Sequence, residues 1–403
     1  MSKYKEKLQK FLIQENIHIK IIFVLVVLCA YGALMVFSAS NHACSQKEMY
    51  HYDSMYMLKR QVIFMAGGFA IILASLFLDA AKIAEECAIV IYLVGYIFIF
   101  LLKTPLGVTS HGATRWIRLG IQFQVAEVVK ISVLVMLAYM AKKFRKHLSN
   151  PKLTLYMWLA GGIPAILLYF ISNDLSSSVV VLAITFGMTF ITNGTLKIHL
   201  GILGALCAAV GAYVYSIAKN LPSPEELETM SFRVGRIAAW INPEKYASGK
   251  GMQTLNSLYA IGSGGIFGKG IGESYMKLGP IPEPQNDMIF AIIVEELGLF
   301  GGGVLIFLYM YLLYLLFRVI IKANSIHEST LVLGVLIHIG IQAFFNIGVA
   351  LNVLPNTGIG LPFISYGGTA ILCLMVEMAL VCSIAKKEYI KSVKREYKNS
   401  KVW

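Results

Sequence analysis

Long apolar runs separated by short polar segments form the dominant pattern of this chain. A helix needs about 20 predominantly apolar residues to cross a bilayer, so each run of this length predicts a membrane span. Ten runs qualify: residues 17–40, 62–78, 83–102, 125–141, 155–171, 175–192, 198–218, 289–321, 330–351 and 369–385. We therefore predict an all-α, polytopic membrane protein with ten transmembrane helices. An even number of spans places both termini on the same side.

Basic residues in the polar segments predict which side that is. They gather before the first span and after each even-numbered span, and those after span 10 form a basic tail over residues 386–403. They are Lys3, Lys5, Lys7, Lys10 and Lys20, then Lys82, then Lys142, Lys143, Arg145, Lys146 and Lys152, then Lys197, then Arg318 and Lys322, and the tail lysines with Arg395. Because cytoplasmic loops are enriched in lysine and arginine, both termini are predicted to be cytoplasmic. The long insertion over residues 219–286, between spans 7 and 8, then becomes a large extracytoplasmic loop.

Composition supports this class and excludes others. Apolar residues make up 57% of the chain, charged residues only 14%, and mean hydropathy is +0.69. The net charge of +13 would suggest nucleic acid in a soluble protein. Here the charge sits beside apolar runs, so it predicts orientation and contact with anionic membrane lipids, with no nucleic-acid partner. The six cysteines show no paired spacing, so neither a zinc site nor a disulfide framework is predicted.

Three carboxylates stand at the entrance of the eighth span: Asp287, Glu295 and Glu296. Acidic residues in membrane segments indicate functional sites unless they are paired. Counting about 20 residues back from Arg318 reaches Gly298, which places all three at the outer interface. On one helix, Glu295 lies about 80° from Asp287 and Glu296 about 180° away, so Asp287 and Glu295 are expected to share a cavity. The alternative for Asp287 is a helix cap after a proline-rich turn.

Other candidates fall on the same predicted outer side. Arg115 lies in the segment before span 4, next to Trp116, which suits the membrane interface. Arg115 therefore either binds an anionic ligand or anchors the chain to lipid phosphate. Lys130 lies about 12 Å below the outer end of span 4 with Glu127 three residues before it. This pair either serves the site or only joins helices. Asp174 begins span 6, where capping is the simpler interpretation.

Three segments of the outer loops have distinct patterns. Residues 231–243 resemble a helix lying on the membrane surface, with aromatic residues against two arginines. Residues 262–272 are rich in glycine, but no strand precedes them, so a dinucleotide site is not predicted. The glycines instead allow a turn and close approach to a ligand or neighbouring helix. Residues 354–368 predict a non-helical loop lining the same cavity. Ser263 and Ser365, in the last two segments, are added as pocket candidates.

The longest motifs resemble one family over nearly the whole chain. They are GATRWIRLG, QVAEVVK, FRVGRIAAWINP, QTLNSLYAIGSGGIFGKGIG, PEPQNDMIFAIIVEELG and LPNTGIGLPFISYGGT. Together they resemble the SEDS proteins (shape, elongation, division and sporulation), most closely the FtsW and SpoVE branch. The chain departs from the family at residues 285–288, where Gln-Asn-Asp-Met replaces His-Thr-Asp-Phe, around Asp174, and at Gly360, where proline is common. The aspartate at position 287 is retained.

The resemblance implies a peptidoglycan glycosyltransferase at the outer face of the bacterial cytoplasmic membrane. It would polymerise lipid II, release undecaprenyl pyrophosphate and serve septal wall synthesis, in division or sporulation. The implied partners are a class B penicillin-binding protein and other divisome or elongasome membrane proteins. Asp287 would be the general base or would orient a metal ion that assists it. Arg115 and Lys130 would hold the pyrophosphate or the pocket, and Glu127 would orient Lys130. A divalent cation, Mg²⁺ or Mn²⁺, suits the chemistry, although no ligand set is evident. The alternatives are a lipid II flippase and a non-catalytic scaffold.

Overall fold

A computed structural model describes residues 16–110 and 113–400. In these residues the α-helices are α1 (Ile17–Gln46), α2 (Tyr56–Ser75), α3 (Ala80–Glu86), α4 (Ala88–Leu101), α5 (Val125–Lys143), α6 (Pro151–Ser172), α7 (Leu175–Thr192), α8 (Leu196–Lys219), α9 (Pro224–Thr229), α10 (Phe232–Ile241), α11 (Met252–Gly264), α12 (Ile289–Lys322), α13 (Ile326–Ala350) and α14 (Gly368–Ser400). Short 3₁₀ helices cover Glu48–Tyr50, Arg145–His147, Glu244–Tyr246 and Met276–Leu278. The N-terminal lysines Lys3, Lys5, Lys7 and Lys10 and the last three residues of the basic tail lie outside the described residues.

Every predicted span corresponds to helix in the structure. Within the described ranges, eight helices are long and apolar enough to cross a membrane: α1, α2, α6, α7, α8, α12, α13 and α14. The pair α3 and α4, bent by 72°, forms a ninth candidate. Helix α5 is the tenth, and its 19 residues have lower hydropathy because they include Glu127, Lys130, Lys142 and Lys143. The prediction of a polytopic helical membrane protein is confirmed.

The apolar core centres on α13 and α14, which are the most buried spans, whereas α8 leaves nearly all its surface exposed. Helix α13 packs closely against α5 and α7 at Gly334. A β-carbon at this position would lie 2.7 Å from Leu134 Cγ and 2.8 Å from Met188 Sδ. Only glycine therefore permits this approach, and it sets the height of α13 against both neighbours.

A small antiparallel sheet precedes α5, which an all-α prediction did not anticipate. Its strands are β1 (Gly107–Ser110), β2 (Ala113–Leu119) and β3 (Ile121–Gln124), in the order β1-β2-β3. Gly120, with φ of 76°, forms the tight turn that pairs Leu119 with Ile121. The predicted interfacial segment is thus a hairpin, because one left-handed glycine turn lets two short strands pair. His111 and Gly112 lie outside the described residues.

Helix α12 is broken at Gly298, where φ is 70° and ψ is −172°. The glycine-rich segment before it supplies the hydrogen bonds that the break removes. Four backbone bonds join them: Lys269 N to Glu295 O (3.0 Å), Gly270 N to Glu296 O (2.9 Å), Leu299 N to Gly265 O (2.9 Å) and Phe300 N to Ile266 O (3.0 Å). The expected close approach of these glycines is to this neighbouring helix.

The two carboxylates just before the break are fully buried and paired with this same loop. Glu295 accepts from Lys269 Nζ at 2.7 Å and from Ser274 Oγ at 2.5 Å. Glu296 accepts from Lys277 Nζ at 2.8 Å and from Ser38 Oγ of α1 at 2.7 Å. Both acids therefore hold the loop against α12.

We expect Lys277→Met to destabilise the protein strongly, because it leaves the fully buried Glu296 carboxylate without its counter-charge. Removing one partner of a buried pair typically lowers stability by about 3–5 kcal/mol. Thermal unfolding in detergent measures the effect. The control is Lys269→Met, which should destabilise the protein less. The Lys269 side chain is 35% exposed, so water can enter and solvate the Glu295 carboxylate when the ammonium group is lost. Equal melting temperatures for wild type and Lys277→Met would contradict this view.

Candidate active site

Asp287 lies in a loop that ends where α12 begins. The N-cap of α12 is Met288, and no side chain makes a capping hydrogen bond there. The capping alternative for Asp287 is therefore wrong, because the helix starts one residue later. The carboxylate is half-buried, and Gln253 Nε2 of α11 is 3.5 Å from its Oδ1. Gln253 is itself oriented by Asn356, whose amide donates to Gln253 Oε1 at 2.8 Å.

The backbone of the Asp287 loop is held from the opposite side. Asn346 Nδ2 of α13 donates to the carbonyl of Asp287 at 2.7 Å. Ser365 Oγ donates to the carbonyl of Asn286 at 2.6 Å, and the amide of Tyr366 donates to Gln285 O at 2.9 Å. The loop is therefore fixed through its backbone, and Gln253 is the side chain that contacts its carboxylate. Ser365 contributes by positioning this loop.

Arg236 of α10 faces the same space as Asp287. A β-carbon on Gly358 would lie 3.8 Å from Arg236 Nη2 and 3.8 Å from Asp287 Oδ2, so both side chains border this glycine. The non-helical segment over residues 354–368 thus lines the site as predicted. Arg236 was not among the predicted site residues, because α10 looked like a surface helix. Arg233, on the same helix, instead donates a hydrogen bond to Tyr169 Oη at 2.8 Å.

Arg115 and Asp174 complete the charged cluster. Asp174 is the N-cap of α7, and its carboxylate accepts from Ser177 N at 3.1 Å and Ser177 Oγ at 2.7 Å. The capping interpretation of Asp174 is therefore confirmed. Arg115 Nε is 3.9 Å from Asp174 Oδ2, too far for a hydrogen bond, and this buried nitrogen has no hydrogen-bond partner. The charges of Arg115, Asp174 and Asp287 all act on Arg236.

The remaining predicted residues lie elsewhere. Lys130 Nζ donates to Glu127 Oε1 at 2.7 Å, and both side chains are buried within α5, so Glu127 orients Lys130 as expected. Ser263 is exposed and its hydroxyl donates to Ala260 O of its own helix. Glu295 does not share a cavity with Asp287, contrary to prediction. The reason is that the loop before α12 folds back and supplies a lysine and a serine to Glu295.

The electrostatics of the site suit proton transfer beside a bound anion. Burial raises the pKa of Asp287, while the Arg236 guanidinium and the Gln253 amide act in the opposite direction. Burial and the neighbouring Arg115 lower the pKa of Arg236, but a guanidinium stays protonated in proteins. The site thus combines the carboxylates of Asp287 and Asp174 with two guanidinium groups. In the described part of the chain, no three His, Cys, Asp or Glu side chains are grouped to hold a metal ion.

Solved structures with this arrangement of helices include two related to cell-wall synthesis and cell shape. A chain from a peptidoglycan synthase complex that coordinates polymerization and crosslinking matches 92% of this chain and 98% of its own length, with a TM-score of 0.72 and 22% identity. The rod shape determining protein RodA of Thermus thermophilus matches with a TM-score of 0.62 and 22% identity, over 92% of this chain and 97% of its own. At this identity both similarities establish the fold.

Sequence comparison establishes the family. The probable peptidoglycan glycosyltransferase FtsW of Trichlorobacter lovleyi is 31% identical over 91% of this chain and 92% of its own length. Stage V sporulation protein E of Bacillus subtilis is 28% identical over 91% of this chain and 96% of its own length. The model of the FtsW, RodA and SpoVE family, described as "Cell cycle protein", matches residues 19–390. With this match across nearly all of its length, the chain belongs to the cell cycle protein family of FtsW, RodA and SpoVE.

Proposed function

We propose that this protein is a peptidoglycan glycosyltransferase that polymerises lipid II into glycan strands, for the septal wall of division or sporulation. Asp287 carries the proposal, because its half-buried carboxylate lies near the Arg236 guanidinium, on which Arg115 acts in turn, at the end of a helical membrane bundle. Relatives named probable peptidoglycan glycosyltransferase FtsW support the same reaction. The stage V sporulation relative supports the septal role.

The reaction is a single displacement at the anomeric carbon of a lipid-linked sugar. The attacking sugar hydroxyl forms the new glycosidic bond and gives its proton to the Asp287 carboxylate. The bond between the anomeric carbon and the pyrophosphate breaks, and undecaprenyl pyrophosphate leaves with the electron pair. Arg236 and Arg115 stabilise the negative charge that develops on this leaving group. The unpartnered Arg115 Nε supports this role, since it has a hydrogen bond to offer.

Orientation follows from the charge pattern. With both termini in the cytoplasm, the Asp287 end of the bundle faces outward, where lipid-linked sugars are polymerised. The loop over residues 219–286, which contains α10 and α11, is then the extracytoplasmic loop of a single SEDS-type domain. The basic tail over residues 386–403 lies in the cytoplasm. Labelling of single introduced cysteines with an impermeant reagent on intact cells distinguishes this orientation from the reverse.

A lipid II flippase is the competing function, and one observation favours it. Helix α13 carries buried polar residues at every fourth position from the Asp287 loop inward: Asn346, Gln342 and His338. A transport path would need such residues to continue across the membrane. One turn further, however, Gly334 packs against Leu134 and Met188, and the row ends. A non-catalytic scaffold would need no charged cavity. Polymerisation remains the function that the site supports best.

The test uses purified full-length protein with its transpeptidase partner and lipid II in proteoliposomes. We expect glycan chains, detected on gels, that disappear when the polymerase site is changed. Movement of lipid II between leaflets without polymer would support the flippase. Polymer formed by the partner alone would support the scaffold.

The rate should depend on pH through Asp287. A general base must be deprotonated, so polymerisation should fall as pH drops through the raised pKa of Asp287 and be full above it. The Gln253 amide lowers this pKa, so Gln253→Leu should move the acid limb to higher pH. Initial rates from acidic to neutral pH measure both. The role would be contradicted if the rate fell with a midpoint at about pH 3.9, the pKa of a free aspartate, and if Gln253→Leu did not shift that midpoint.

A class B penicillin-binding protein is the proposed main partner, alongside other divisome or elongasome membrane proteins. The peptidoglycan synthase complex among the similar folds supports it. Helix α12 offers a surface for a partner helix, because exposed residues recur with alternating spacings of three and four, as in helix–helix seams. These residues are Phe300, Gly303, Phe307, Met310, Tyr314, Phe317 and Ile321.

We propose a divalent cation, Mg²⁺ or Mn²⁺, only as an ion that binds together with the substrate. Asp174 is committed to capping α7, so the described residues fit no metal ligand set of their own around Asp287. A cation would therefore be held by Asp287 together with the pyrophosphate of the substrate. When bound there it would neutralise leaving-group charge, the same task that Arg236 and Arg115 perform.

A further inference from the structure

One buried pair of polar side chains inside the membrane-spanning bundle has no part in the proposed chemistry. His338 Nδ1 of α13 is 2.8 Å from Glu377 Oε2 of α14, and both side chains are only 1% exposed. Ionisable groups at such positions are expensive to bury and usually mark a functional requirement. The pair joins the two most buried spans of the protein.

This pair stands next to the Glu127–Lys130 pair. Helices α5 and α13 are antiparallel, because Glu85 meets both Lys142 at the end of α5 and His327 at the start of α13. Gly334 and Leu134 are in contact at one level. One turn from this contact towards Asp287 are His338 on α13 and Lys130 on α5.

Helix α14 completes the network. Cys373, one turn before Glu377, lies within electrostatic range of Glu127, Lys130 and Glu377. The two pairs thus lie near one another, one on α5 and the other between α13 and α14, and together they form a buried polar network. Charged groups in an apolar medium allow little sliding, since any displacement leaves a charge uncompensated.

Helix α13 connects this network directly to the active site. Asn346 is eight residues beyond His338, about 12 Å along the helix. Its single amide group donates to the carbonyl of Asp287 at 2.7 Å and to the carbonyl of Ile359 at 2.8 Å. A change in the height or rotation of α13 therefore moves the backbone of both loops that border the site.

We infer that His338 and Glu377 are positioning residues for Asp287. The pair fixes α13 against α14 and α5, and Asn346 transmits that position to the Asp287 backbone. The inference rests on the proposed role of Asp287 as the general base. Since a misplacement of about 1 Å lowers catalysis on the order of 10²-fold, loosening this anchor should lower turnover from a distance.

The test compares Glu377→Leu with Glu377→Gln in the full-length protein with its partner and lipid II. Leucine removes the acceptor for His338, whereas glutamine keeps an oxygen there. We expect Glu377→Leu to lower kcat on the order of tenfold or more with KM nearly unchanged, and Glu377→Gln to retain most of the activity. Adding Asn346→Ala to Glu377→Leu should cause little further loss, because both act on the same carbonyl.

Three results would overturn the inference: additive losses in the double variant, equal losses with leucine and glutamine, or a change confined to KM. If Glu377→Leu does not fold, His338→Leu combined with Glu377→Leu removes both polar partners together and leaves neither unpaired. This variant should fold and still show the lowered kcat, and wild-type kcat would refute the anchor. Full activity of Asp287→Asn would instead refute the role of Asp287 as the general base, and absence of polymer from the wild-type protein would refute the proposed function. An inactive Asp287→Asn beside a fully active Glu377→Leu refutes only the inference.

Discussion

Asp287→Asn is expected to lower the rate of glycan polymerisation by about 10²–10⁴-fold, the usual contribution of a general base. Asparagine keeps the size of the side chain but cannot accept the proton of the attacking hydroxyl. The backbone carbonyl of residue 287 would still be held by Asn346, so the loop should keep its place. Initial rates with labelled lipid II, in proteoliposomes with the partner present, measure the loss.

The control for this variant is Glu283→Gln in the same loop. Glu283 is exposed, and its like charge raises the pKa of Asp287. Its carboxylate also accepts from Asn286 Nδ2 at 2.8 Å, a bond that the amide oxygen of glutamine can keep. Its neutralisation should leave polymerisation near the wild-type rate at neutral pH. If both variants polymerise lipid II equally, Asp287 is not the base. Unchanged melting temperatures for the two proteins ensure that a lost rate reflects chemistry.

Arg236→Met should lower kcat/KM by about 10²–10³-fold, because it removes a charged donor that faces the developing pyrophosphate charge. Methionine keeps much of the apolar stem, so packing of α10 changes little. Arg236→Lys should recover only part of the activity, since an ammonium group lacks the planar fork that binds phosphate oxygens in pairs. Substrate-concentration series for all three proteins provide the measurement.

Arg233→Met is the matched control on the same helix. Arg233 donates to Tyr169 Oη at 2.8 Å and lies 4.3 Å from the centre of that ring, so it is occupied by a structural contact. Its loss should lower stability modestly and leave kcat/KM within a few fold of wild type. A larger effect from Arg233→Met than from Arg236→Met would reverse the assignment of the two arginines.

Periodicity predicted the fold well and the local geometry less well. Apolar runs of about 20 residues were enough to locate a helix at each of the ten predicted spans, including α5 with its four charges, because membrane thickness sets helix length. The distance from Arg318 also reached Gly298, where α12 breaks, although nothing local predicts the break itself. The three-stranded sheet was missed because its strands, of seven residues or fewer, show too little alternation to recognise.

Some site residues could be identified from the sequence, and others could not. Asp287 could be named from the cost of placing a carboxylate near a membrane, and Asp174 from the preference of aspartate for helix caps. Arg236 could not be distinguished from Arg233, because both suit a surface helix and only packing decides which one turns towards Asp287. Glu295 was misassigned because angular position on one helix does not reveal that a distant loop will fold back to pair with it.

The sequence by itself determined the membrane class, the order of the long apolar helices, the family and the carboxylate at position 287. These follow from properties that act along the chain: bilayer thickness, loop charge and motif order. The tertiary structure alone decided which acids are paired with a lysine, which arginine faces the site, and how His338 and Glu377 are linked to Asp287 through α13. Those facts depend on contacts between residues far apart in the chain, and pairing across such distances leaves no local pattern to read.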